Sequence, residues 1–196
     1  VRTAPRKQKR LLLDCDGVIA NFAGRVQALA SAAGHPFEVR AYGLASQMPE
    51  HVWHEVERAV HGRNFVACLD AYPGEVEAAW ELARHTELVF VTSPWRTSVY
   101  WAHERAEWLA ARFHQPRIIS TNQKHMVEGD IFVDDHSEHV NAWADAHPRG
   151  IPLLFTRPWN EDARGSFLRI NSLRDVFPYL NVAHDNIPAP AQEETP

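Results

Sequence analysis

Leu11-Leu12-Leu13 runs without a polar break into Asp14-Cys15-Asp16-Gly17-Val18. A short apolar run that stops at a charged turn reads as a strand covered on both faces, as in a parallel sheet. Three further runs have the same form: Leu88 to Val91 ends in Thr92-Ser93-Pro94, Ile131-Phe132-Val133 in Asp134-Asp135, and Ile151 to Phe155 in Thr156-Arg157-Pro158. Arg117-Ile118-Ile119 is a shorter fifth candidate.

Helical spacing fills the intervals. Val76, Ala79, Trp80 and Ala83 follow the Pro73-Gly74 turn at i, i+3, i+4, i+7. Val99, Ala102, Ala106, Leu109 and Phe113 mark a second face, and Val140, Trp143, Ala144 and His147 a third. Leu173, Val176, Phe177 and Leu180 mark a last helix, with Ser172 and Asp175 spaced as a capping box. Strands alternating with helices predict an α/β fold: a Rossmann-like parallel sheet with helices on both faces. Residues 20–69 break the alternation. They carry two helical faces, Phe22/Val26/Leu29/Ala33 and Val52/Val56/Ala59/Val60, and read as a small helical insertion after the first strand. The expected division is a core of residues 10–19 and 70–182, an insertion of 20–69, and flexible termini at 1–9 and 183–196, the latter rich in Pro, Ala and Glu.

With 45% apolar and 23% charged residues in 196, the chain has material for one core domain and a small insertion. A formal charge of −5 argues against a nucleic-acid polymer as partner, the basic stretch Arg2 to Arg10 reading as a solvated arm. Two separated cysteines, Cys15 and Cys68, exclude a disulfide scaffold or a cysteine zinc site. No apolar run is long enough to cross a bilayer, and the first residues lack the apolar core of a secretory signal. The expectation is a soluble cytoplasmic protein with no membrane partner; a homodimer is left open. The 12 histidines include no H-x-x-x-H set and read as solvated or packing residues.

In an open parallel sheet, ligands bind outside the carboxyl ends of the strands. Here those ends carry Asp14 and Asp16, the Thr92-Ser93 pair, and Asp134 with Asp135. Two residues apart, Asp14 and Asp16 project to one face in extended geometry while Cys15 points away. Four converging carboxylates repel one another unless a cation lies between them, and magnesium, which also engages phosphate, suits an all-oxygen set. Lys124 is the fixed positive charge between the second and third signals. Singly, each element has a plain structural reading: a turn, a strand-end cap, a surface lysine, a helix cap.

Taken in order, Asp14-Cys15-Asp16-Gly17-Val18, Thr92-Ser93-Pro94, Lys124 and Asp134-Asp135 resemble the four motifs of the haloacid dehalogenase-like (HAD) hydrolase superfamily. Within it the chain is most similar to the 5′(3′)-deoxyribonucleotidase family. The carrying strings are D-x-D-G-V-x-A-x-F through Phe22, V-T-S-P, Lys124 ten residues before Asp134-Asp135, and Asn64-Phe65 to Leu69 followed by Tyr72-Pro73-Gly74. His136 stands where the resemblance gives arginine, and Ala41 to Met48 matches nothing by eye.

The resemblance implies a magnesium-dependent phosphatase. Asp14 would be the nucleophile and Asp16 the acid and base; Asp14, Asp134 and the Asp16 backbone carbonyl would bind the metal. Asp135 would orient Lys124 or a water of the metal. Thr92, Ser93 and Lys124 would hold the phosphate, and the insertion would cap the site, with Phe22, Trp53, Phe65 and Trp95 as candidate pocket residues. The implied substrate is a nucleoside monophosphate. The alternatives are a sugar phosphate or other small-metabolite phosphate, a non-catalytic phosphate-binding module, and a polynucleotide 3′ or 5′ phosphate, which the acidic charge disfavours. Arg157 to Asn160, after the last strand, reads as a turn with no catalytic part, the alternative being a border of the site.

Overall fold

The structure, a computed structural model, describes residues 8–95 and 97–181. The expected flexible termini therefore lie outside the described residues except for residues 8 and 9, and Lys9 Nζ donates to the Tyr179 carbonyl at 3.0 Å.

Six strands, β1 (Arg10–Leu13), β2 (Glu87–Thr92), β3 (Ile118–Ser120), β4 (Ile131–Asp134), β5 (Ile151–Phe155) and β6 (Leu168–Ile170), form one sheet in the order β3-β2-β1-β4-β5-β6. All five pairings are parallel, with Leu12 opposite Val89 on one side and Phe132 on the other. The apolar runs are continuous because both faces are covered. Leu11, Leu13, Phe90, Ile131, Val133, Leu153 and Phe155 join one hydrophobic cluster. Leu12, Val89, Val91, Phe132 and Leu154 join another, on the opposite face. Helices α3 (Glu75–Ala83) and α4 (Trp101–Ala110) pack into the first cluster, and α5 (Ser137–Ala146) into the second through Val140 and Trp143.

The chain turns outward after β1 into α1 (Phe22–Ala32) and α2 (Glu50–His61) and returns at Ala71. Asn21 caps α1 by accepting from Gly24 N–H at 2.9 Å. The two ends are stitched together: Asn21 N–H donates to Asp70 O at 2.8 Å and Tyr72 N–H to Ile19 O at 2.9 Å. Val26 of the first expected stripe and Val52, Val56 and Val60 of the second are buried in the same cluster as the sheet face that carries Leu11 and Leu13, with Phe22, Leu29 and Ala33 packed half-buried against it.

Four expectations need correction. Trp80 is 47% exposed and Ala83 exposed, and the buried apolar face of α3 is Val76, Ala78, Ala79 and Leu82. Val99 is 84% exposed and outside α4, and Ala102 is exposed. The buried face of α4 is Trp101, Glu104, Arg105, Trp108 and Leu109; two tryptophans a double turn apart offer far more apolar area than the alanines, and they carry the two charges inward with them. The last helix is a 3-10 helix, Leu173–Leu180, with Pro178 inside it, although the capping box of Ser172 and Asp175 is present. The edge strand β6 was not expected, because three residues beside Gly165-Ser166 give too short a pattern.

Glu104 is matched by the segment that leads out of α2. Its carboxylate accepts from the backbone N–H groups of Asn64 (2.6 Å), Val66 (3.0 Å) and Ala67 (3.3 Å). Glu104→Ala leaves buried donors unmatched, with an expected loss of about 3 kcal/mol in urea unfolding. Glu107→Ala on the exposed face of the same helix is expected to change stability by no more than about 0.5 kcal/mol.

Candidate active site

The site lies where the chain order reverses, β1 leading to β2 and β3 on one side and β4 to β6 continuing on the other. Asp14 N–H donates to Val133 O at 2.9 Å, which fixes Asp14 beside the end of β4. The strand then stops, so the expected extended geometry for Asp16 does not hold. Instead the Cys15 carbonyl gathers the N–H groups of Val18, Ile19 and Ala20 in a tight turn. Gly17 sits in that turn at φ +77°, and a Cβ there would overlap the Asp135 carboxylate. The glycine of D-x-D-G thus brings the β1 loop against the β4 end, and both Asp14 and Asp16 reach one pocket.

Two cations serve three of the four carboxylates. Lys124, 2% exposed, bridges Asp14 Oδ1 at 2.8 Å and Asp134 Oδ2 at 2.7 Å. Asp16 is not part of that group; Arg105 Nη2 from α4 holds its Oδ1 at 2.5 Å. The sequence pointed to Lys124 as the fixed positive charge and passed over Arg105. Asp134 also accepts from His136 N–H at 2.7 Å, and His139 Nδ1 lies 3.2 Å from its Oδ2. Asp135 Oδ2 accepts from Trp159 Nε1 at 2.7 Å, and its carbonyl takes Asn160 Nδ2 at 2.7 Å and the Tyr42 hydroxyl.

Burial and then the neighbouring Asp134 push the Asp14 carboxyl up to about 7, although Lys124 opposes the shift. Burial, Asp134 and Asp14 raise Asp135 well above the carboxylate range. Burial works the same way on Asp134, but Lys124 and His139 outweigh it and hold that group down. Burial pushes the Cys15 thiol up to about 12, so it stays protonated and is a packing residue. Asp14, Asp134 and Asp135 each offer an oxygen within 4.8 Å of the others. One lysine among three such carboxylates leaves excess negative charge, and an oxygen-only donor set of this kind fits a hard divalent cation.

The pocket above this floor has a volume of about 400 Å³. Of the expected residues, Asp14, Asp16, Ser93, Lys124, Asp135, Phe22, Trp53 and Trp95 line it. Thr92 and Asp134 are buried and do not, and the Thr92 hydroxyl has no hydrogen-bond partner among the described residues. Phe65 does not line the pocket either. It is buried with its ring edge-on to Phe22 at 5.7 Å and stacked on Trp101 at 6.1 Å.

Sequence reasoning gave no pocket role to Tyr42, Trp101, His136 and His139, which also line the pocket, as does Trp159. It weighed Arg157 to Asn160 as a border of the site and favoured a plain turn. Arg157 donates to the carbonyls of Gly17 (2.5 Å) and Val18 (3.3 Å) while its guanidinium lies 3.7 Å from the Tyr72 ring centroid. A Trp and an Asn directly after a strand end were the signal available for that segment.

A family model described as 5′ nucleotidase, deoxy (pyrimidine), cytosolic type C protein matches residues 8–185. The mitochondrial 5′(3′)-deoxyribonucleotidase of Homo sapiens is 28% identical over 166 residues, covering 78% of this chain and 72% of its own. That of Mus musculus is 27% identical over 167 residues, covering 78% and 75%. Among solved structures, a HAD-hydrolase of Bacillus subtilis bound to magnesium aligns with a TM-score of 0.55 at 13% identity, over 90% of this chain and 100% of that one. The last likeness concerns the fold, and it agrees with the parallel sheet and its flanking helices. With the family model spanning all of the described residues, the protein belongs to the 5′ nucleotidase, deoxy (pyrimidine), cytosolic type C family.

Proposed function

We propose that this protein is a magnesium-dependent phosphatase that hydrolyses a nucleoside monophosphate through an aspartyl-phosphate on Asp14. The observation that carries this reading is the opening of Asp14 and Asp16, each with its own cation, onto one aromatic-walled pocket. The names of the human and mouse relatives support a nucleotide as the phosphate carrier. The rings of Phe22, Trp53 and Trp95 offer flat apolar faces of the kind a nucleobase stacks on.

In the first step an Asp14 carboxylate oxygen bonds to phosphorus as the bond to the leaving oxygen breaks, and Asp16 gives that oxygen a proton. In the second, Asp16 takes a proton from water, the water oxygen bonds to phosphorus and the Asp14–phosphorus bond breaks, returning both carboxylates to their starting state. The Thr92 hydroxyl, the backbone around Ser93 and the Lys124 ammonium would hold phosphate oxygens. Asp14 and Asp134, with the Asp16 carbonyl, would hold magnesium, which neutralises charge on the phosphate; Asp135, fixed by Trp159 and Asn160, would complete the acidic set. Residues 20–69 would act as the cap that shapes the substrate pocket.

Phosphate release from nucleoside 5′-monophosphates and from sugar phosphates, with magnesium, tests the substrate class. Nucleotides are expected to be the better substrates; if none exceeds the sugar phosphates, the nucleotidase reading fails. Asp14→Asn is expected to lower turnover by at least about 10⁴-fold while the protein stays folded by circular dichroism.

The raised carboxyl of Asp14 gives a separate test of the metal. A folded-state value of about 7 against an ordinary 3.8 means that the native state binds more protons between those limits. Metal-free stability therefore falls as pH rises from about 4 to about 7. Asp135 acts in the same direction, and His136, lowered by burial, works against both. In EDTA the melting temperature is expected to fall across this range, and magnesium to raise it more at pH 8 than at pH 5.5. A magnesium shift that does not grow with pH argues against a metal on these carboxylates.

A further inference from the structure

Arg105 is buried to an extent that a guanidinium tolerates only when it is matched. Its side chain is 1% exposed, while that of Asp16 is 24% exposed and faces the pocket. The guanidinium lies 5.8 Å and 5.6 Å from the ring centroids of Trp101 and Trp108. Its Nε and Nη1 have no hydrogen-bond partner among the described residues. The adjacent Glu104 spends its carboxylate on the backbone of Asn64, Val66 and Ala67. Among the described residues the guanidinium thus makes a single hydrogen bond, from Nη2 to Asp16 Oδ1 at 2.5 Å. An ion pair kept in an apolar setting at the expense of two idle donors is poorly explained as a stabilising device, since buried pairs return little net stability.

We infer that Arg105 is a positioning residue for Asp16, fixing the carboxylate so that Oδ1 is held from behind and Oδ2 is left to exchange the proton with the leaving oxygen. This rests on the acid role given to Asp16 above. A carboxylate on a loop, beyond the end of its strand, has rotamer freedom that the loop itself does not remove. The α4 contact removes it, and orientation of this kind governs how well a proton donor meets its acceptor. The guanidinium also lies where negative charge develops on Asp16 as the proton departs, so its attraction is greatest at the transition state. Arginine suits the role because its planar fork holds a fixed direction between two indole rings, which a lysine ammonium does not.

The dependence on leaving group separates this role from a structural one. An alkoxide leaving from a nucleoside 5′-phosphate needs a proton; p-nitrophenolate leaving from p-nitrophenyl phosphate needs it far less. Arg105→Met keeps most of the volume and Arg105→Lys keeps the charge, and both are checked by thermal unfolding with magnesium present. Because Asp16 also serves hydrolysis of the intermediate common to both esters, the comparison is made in kcat/KM, which reports the step that releases the alcohol. Arg105→Met is expected to lower kcat/KM on the nucleoside monophosphate by about 100-fold and on p-nitrophenyl phosphate by no more than about 5-fold. Arg105→Lys is expected to fall between, and it decides the matter if the methionine variant does not fold. Equal losses of kcat/KM on the two esters overturn the inference while leaving the phosphatase reading in place. A wild-type protein inactive on both esters overturns the two together.

Discussion

Everything at the carboxyl edge of this sheet answers to one constraint: three aspartates lie close together where water is scarce, with a fourth at the pocket beside them. Left alone, Asp14, Asp134 and Asp135 would hold protons rather than ionise, as the upward shifts of Asp14 and Asp135 record. The fold responds by distributing opposite charge and donors. Lys124 serves Asp14 and Asp134, Arg105 serves Asp16, and indole, amide and backbone N–H groups serve the remaining oxygens. What remains unbalanced is the charge a divalent cation would supply.

The sheet makes that crowding possible. Parallel strands covered on both faces end at a common edge, so residues far apart in sequence arrive together without any loop having to be long. The β1 turn completes the arrangement. Gly17 lets it approach Asp135, and Arg157 holds the Gly17 and Val18 carbonyls while lying on Tyr72. A loop held in this way keeps Asp14 and Asp16 facing one space.

The central strands were legible because burial on both faces leaves an uninterrupted apolar run, and the polar residues that end such runs mark the site. Asp14, Thr92 and Asp134 could be named for that reason, and Lys124 as the fixed positive charge between the second and third of these run ends. Arg105 could not, since a charge inside a helical stripe normally signals the solvent side; only its partner, 89 residues away, shows otherwise. Tyr42 lies in a stretch with no regular period, and Trp159 follows a proline that marks a turn and nothing more. His139 was hidden among twelve histidines, and contact with Asp134 is what distinguishes it. Phe65 carried an aromatic signal that served packing, a distinction that depends on which side of Phe22 it lies.

The stitched neck at Ile19–Asn21 and Asp70–Tyr72 carries an implication for ancestry. Because the insertion leaves and re-enters the sheet at neighbouring backbone positions, its ends are already joined whatever lies between them. Lengthening such an excursion adds little closure entropy, about 0.6 kcal/mol for each doubling. The carboxyl edge of the sheet and the excursion beyond it can therefore diverge at different rates. The limit is set by Val26, Val52, Val56 and Val60, which share a hydrophobic cluster with the sheet. A replacement excursion inherits freedom in its outer surface and an obligation to refill that inner one.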